Sequence, residues 1–159
     1  MARLANNMPN LVKLSSANRQ AFDAGLYGLP DGAGSRGVSS LTNSTPLPVE
    51  IVSQPAQLGI AARELSSSPV IALDTESNSF HHYPEHLCLI QIASRHKVYI
   101  IDTISLHDLA PLRDVLADVS IKKVIHSADY DIRSLDRHSG LHIRNLFDTS
   151  IAARFIGIT

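Results

Sequence analysis

Two acids close a hydrophobic run: Val70-Ile71-Ala72-Leu73 leads directly into Asp74-Thr75-Glu76. The four aliphatic residues suit a buried strand, and the carboxylates belong at its wet end, where they can stay ionised. Strand side chains alternate, so Asp74 and Glu76 point the same way, with Cα atoms roughly 6.6 Å apart at a rise of about 3.3 Å per residue. Two carboxylates so spaced can share a divalent cation, and without one they repel each other. Taken alone, the pair is better explained as ordinary polar residues in the loop after a strand.

A third acid changes the weighing. In His126-Ser127-Ala128-Asp129-Tyr130-Asp131, a short strand over Lys123 to His126 runs into a helix capped by Ser127, with Asp131 in its first turn. A crossover connection makes that strand parallel to Val70–Leu73, so both end at the sheet edge where open α/β sheets place their sites. The plain alternative for Asp129 and Asp131 is complementation of the helix dipole.

The elements that must hold these acids follow from the hydrophobic pattern. Val49 to Val52 suits a short edge strand. Ser53 can cap a helix with Pro55 in its first turn and Leu58, Ala61, Ala62 and Leu65 as its apolar stripe. Leu87 to Ser94 and Lys97 to Asp102 are two strands separated by Arg95 and His96, which forces an antiparallel hairpin. A helix is expected over Ser105 to Val119, burying Leu109, Leu112, Val115, Leu116 and Val119. The helix opened by Ser127 ends at Gly140 with Ile132 and Leu135 inward. Leu146-Phe147 makes a last short strand, and Asp148 caps a helix from Thr149 to Ile156. The resulting class is α/β, a mixed sheet of three antiparallel strands followed by parallel crossover strands, flanked by helices.

Residues 1 to about 47 hold five of the eight glycines, with scattered Ser, Asn and Pro, and read as a disordered low-complexity leader; the domain is expected over residues 48–159. A net charge of −1 over 159 residues gives no global basic field, so contact with nucleic acid must be local or metal-mediated. The single cysteine, Cys88, excludes disulfides within the chain and cysteine-based zinc sites. No apolar run approaches the roughly 20 residues of a membrane span, which points to a soluble, cytoplasmic protein.

From about Pro48 to Thr159 the sequence resembles the exonuclease domain of the ribonuclease D group, in the DEDD superfamily of 3′-5′ exonucleases with a ribonuclease H-like fold. The likeness rests on Leu73-Asp74-Thr75-Glu76, on Leu87-Cys88-Leu89-Ile90-Gln91-Ile92-Ala93, and on His126 with Tyr130-Asp131, His126 standing where proofreading enzymes carry Asn. Asn145-Leu146-Phe147-Asp148-Thr149 and Ala152-Ala153-Arg154 are also family-like. The resemblance implies hydrolysis of phosphodiesters from a 3′ end with two divalent cations, Mg²⁺ or Mn²⁺. Asp74 would then bridge both ions, Glu76 would serve the ion on the side of the attacking water, and Asp131 would support the other. The substrate side would include Thr75, Phe80, His81, His126 and Tyr130, and the partner is nucleic acid, RNA ahead of DNA. Phe80, His81, His82 and Tyr83 are suited to stack on or hydrogen-bond a terminal nucleotide. Gln91, polar in an apolar strand, is expected to be a buried structural hydrogen-bonding group.

The family's third motif, Tyr-x-x-x-Asp, does not follow the second within these residues, so the domain is expected to be C-terminally incomplete. Two rivals remain open: a catalytically silent exonuclease-like module that only binds nucleic acid, and a haloacid-dehalogenase-like phosphatase. The phosphatase fold wants Asp at the position of Glu76 and parallel strands after it, against which the Leu87 to Asp102 hairpin argues.

Overall fold

The computed structural model of the chain describes residues 47–78 and 86–157. The leader expected over residues 1–47, apart from its last residue, and Phe80, His81, His82 and Tyr83 lie outside the described residues. In chain order the elements are β1 (Val49–Val52), α1 (Pro55–Ser66), β2 (Val70–Ser77), β3 (Leu87–Ala93), β4 (Val98–Asp102), α2 (Pro111–Ala117), β5 (Lys122–Ile125), α3 (Asp129–Ser139), β6 (Leu146–Asp148) and α4 (Thr149–Phe155).

The strands form one sheet in the order β1-β4-β3-β2-β5-β6. β2, β3 and β4 are an antiparallel meander. β1 pairs parallel with β4, β5 parallel with β2, and β6 parallel with β5. The mixed sheet expected from the sequence is therefore present, with β2 and β4 as the strands at which antiparallel pairing gives way to parallel. Four consecutive residues of β2, Val70 to Leu73, are buried, as a strand covered on both faces requires. Ile71, Leu73, Ile90, Ile92, Tyr99 and Ile101 join one core cluster with Leu58 and Leu65 of α1 and Leu112, Val115 and Leu116 of α2.

Three local expectations give way to side-chain chemistry. Gln54, not Ser53, takes the cap position of α1, and Gln57 one turn on reaches back to accept the N–H groups of Gln54 at 3.0 Å and Ser53 at 3.1 Å. The helix expected from Ser105 begins only at Pro111. Ahead of it the Asp102 carboxylate accepts from the N–H groups of Ile104 and Ser105 and from the Ser105 hydroxyl, and Asp108 accepts from the N–H of Ala110. These bonds offer the backbone turns in place of a helix. Leu106 and Leu109 still reach the core from those turns, whereas Val119, beyond the helix, is 59% exposed. Ser127 does not cap α3: its backbone is left-handed, φ +57°, and Ala128 precedes the helix without a side-chain cap. The other end behaves as expected, with Gly140 at φ +58° closing α3 where a Cβ would be strained.

Candidate active site

The register of the sheet carries the acids past their neighbour. Val70, Ile71 and Ala72 of β2 pair with Lys122, Lys123 and Val124 of β5, and β2 then runs on to Ser77 while β5 stops at Ile125. Beyond the end of β5 the chain turns through His126, Ser127 and Ala128 and enters α3. Asp131 is thereby brought against the extended end of β2, and the Thr75 hydroxyl donates to Asp131 Oδ1 at 2.6 Å. Asp74 and Glu76 thus stand on the projecting end of β2, with Asp131 tied beside it through Thr75.

Asp74 and Glu76 are half-buried, and Asp131 is buried. Burial, joined by the charges of Asp131 and Glu76, pushes the Asp74 carboxyl up to about 6. The N–H of Thr75, which donates to Asp74 Oδ1 at 3.1 Å, and the nearby His126 pull the other way. Glu76 is raised by burial and by Asp131. Asp131 is raised chiefly by burial, against the Thr75 bonds that favour its charge. Asp131 thus hinders the ionisation of both Asp74 and Glu76, and is itself opposed by burial and by the charge of Asp148, which describes a place short of positive charge.

Oxygen-only donors of this kind match hard divalent cations. Among the described residues, however, no three Asp, Glu, His or Cys side chains are already arranged to hold a metal ion. The Asp131 carboxylate is engaged with Thr75, so sharing a cation with Asp74 would require its free oxygen or a rotation away from that hydroxyl.

The remaining site residues are spread around this edge. Thr75 is buried with its hydroxyl on Asp131. Tyr130, 40% exposed, meets the Ser77 hydroxyl through its own, tying the end of β2 to α3. His126 is exposed, its Nδ1 2.9 Å from Thr149 Oγ1. Asp129 points away and pairs with Arg133 one turn on at 2.6 Å. Gln91, buried, lies directly opposite Asp74 on β3. Sequence reading missed the wider role of Asp148, which accepts not only from the start of its own helix but also from Ser127 and Ala128 across the sheet; a left-handed serine is not visible in sequence.

The sequence model of the 3′-5′ exonuclease family matches residues 49–159. The chain belongs to this family. Among its curated relatives, Protein RRP6-like 1 of Arabidopsis thaliana is 38% identical over 128 residues, covering 76% of this chain and 20% of that protein. The catalytic core of RRP6 from Trypanosoma brucei superposes with a TM-score of 0.64 at 33% identity, covering 71% of this chain and 32% of that one. Escherichia coli RNase D, described as an exoribonuclease involved in structured RNA processing, superposes with a TM-score of 0.67 at 29% identity over 71% of this chain and 30% of its own. The chain thus spans 11–20% of the length of the curated relatives it matches. Family membership and the antiparallel β2–β3–β4 meander together exclude the phosphatase reading.

Proposed function

We propose that this chain carries the acidic half of a 3′-5′ exonuclease that removes nucleotides from the 3′ end of RNA by metal-dependent phosphodiester hydrolysis. The observation that supports this most directly is that Asp131, tied to Thr75, lies beside the end of β2 that carries Asp74 and Glu76, the ionisation of all three being hindered. Asp74, Glu76 and Asp131 would hold divalent cations, Mg²⁺ or Mn²⁺. Such ions supply charge to stabilise the leaving 3′ oxygen and lower the pKa of the attacking water. The residues themselves do three things. The carboxylates concentrate negative charge that a cation and its phosphate can share, Thr75 restrains Asp131, and exposed His126 and Tyr130 border the edge that a terminal nucleotide would approach. RNA is favoured over DNA because the similar Escherichia coli protein is an exoribonuclease by description.

The test compares the 159-residue chain with a version extended through a Tyr-x-x-x-Asp segment, each on 3′-labelled RNA and DNA with Mg²⁺ or Mn²⁺. Mononucleotide release from RNA by the extended version, abolished by EDTA and by Asp74→Asn, is expected. Binding of RNA without any release by either version would instead favour the silent module.

A further inference from the structure

We propose that Asp148 is a positioning residue for the second acidic segment, its carboxylate clamping the turn that aims Asp131. One oxygen, Oδ1, accepts from the N–H groups of Ser127 at 3.1 Å, Ser150 at 2.8 Å and Ile151 at 3.3 Å, and from the Ser150 hydroxyl at 2.8 Å. The other, Oδ2, accepts from the N–H of Ala128 at 2.9 Å. One side chain on β6 therefore caps its own helix and grips the two residues that enter the neighbouring one.

The grip falls where the backbone needs it. Ser127 adopts φ +57°, a conformation that costs an L-residue without special support. Ala128 is held at its N–H by Asp148 and at its carbonyl by the first helical bond of α3, from Ile132 at 3.0 Å. Asp131 lies one turn into that helix, so a tilt of its first turn moves the carboxylate away from Thr75 and from β2. Thr149 adds a second tie through its hydroxyl, 2.9 Å from His126 Nδ1. A cap for α4 alone would need only the bonds to Ser150 and Ile151; the bonds to Ser127 and Ala128 serve α3. The proposal rests on the exonuclease reading for the importance of Asp131, while the clamp itself does not.

Asp148→Ser keeps a good cap for α4 but is too short to reach Ser127 and Ala128. Asp148→Asn turns an amide donor toward one of those N–H groups, and Ser150→Ala weakens the α4 side alone. In the metal-free full chain, amide exchange at residues 127–132 should quicken at least about tenfold in Asp148→Ser while residues 149–155 stay near wild type. Mn²⁺ affinity, read from the electron paramagnetic resonance of free Mn²⁺, should weaken about tenfold in Asp148→Ser and stay unchanged in Ser150→Ala. Asp148→Asn should fall between them, and it carries the test if the serine variant does not fold. Exchange at residues 127–132 unchanged in the Asp148 variants, or quickened equally over the whole domain, would overturn the clamp. If wild type holds no more Mn²⁺ than Asp74→Asn, the metal reading fails, and the exchange pattern alone decides the role of Asp148.

Discussion

A carboxyl raised to about 6 at the mouth of a sheet, as Asp74 is, has too little positive charge around it, and its neutralisation by substitution should be costly only where that charge is used. In a version active on RNA, Asp74→Asn is expected to lower kcat/KM about a thousandfold, roughly 4 kcal/mol of transition-state stabilisation; a steady-state assay that finds near-normal activity would remove Asp74 from the mechanism. Asp148 shows the opposite electrostatics. Burial alone would raise its carboxyl, but the N–H groups of Ala128, Ser150 and Ser127 and the Ser150 hydroxyl outweigh burial and bring it down to about 2. Because its folded pKa lies below the unfolded value of about 3.9, the stability it contributes is fully present above that value and is lost as pH falls through about 2. After allowance for solvent screening this is on the order of 1 kcal/mol. Thermal melts between pH 5 and pH 2 should show wild type and Asp148→Ser converging as the pH drops; a constant gap would contradict the assignment. The position of Asp74 and Glu76 at the end of β2, and of Asp131 in the turn of helix after β5, was legible in the sequence from strand alternation and the hydrophobic runs. The hydroxyl bond from Thr75 to Asp131 was not, since it joins residues 56 positions apart through side-chain directions that no period encodes.

At the scale of the elements, the strands were legible from aliphatic runs, while helix ends were decided by single polar side chains. Gln57 sets the start of α1, and Asp102 with Asp108 delays α2. Lys123 is the sharpest case of a residue whose type misleads: it lies in β5 and is fully buried. Its Nζ donates to the carbonyls of Asp118 and, at 2.9 Å, of Ile121, supplying a buried donor to the backbone between α2 and β5. Burial lowers the Lys123 pKa, and Asp118 partly restores it. Lys123→Met preserves the stem but removes the ammonium donor from both carbonyls, leaving Asp118 only the N–H of Ile121 at 3.3 Å, and should lower stability by about 1–3 kcal/mol. Urea denaturation measures this directly; an unchanged midpoint would mean that solvent already reaches those carbonyls.

Over the whole domain, apolar surface is unevenly placed. Ile151, Phe155 and Ile156, on and just after α4, are 52%, 87% and 74% exposed, and neighbouring Leu146 on β6 is also exposed. A patch of this kind favours association. Sedimentation velocity should show concentration-dependent self-association of the 159-residue chain, reduced in Phe155→Ser; a monomer at all concentrations would argue that the patch is too small to matter. The strand order carries a different consequence, one of timing. The β2–β3–β4 meander joins residues close in sequence, whereas β5 must come back to β2 across a much longer intervening chain, and closing long loops costs entropy before contacts repay it. The meander is therefore expected in the folding transition state, with β5 docking later. Ile90→Val should chiefly slow refolding and Val124→Ala chiefly speed unfolding, a partition that chevron plots resolve. Since Asp74 and Glu76 sit on the early strand and Asp131 follows the late one, the chain would complete its acidic edge only as folding finishes, and a nascent or partly unfolded molecule would present two of its acids without the third.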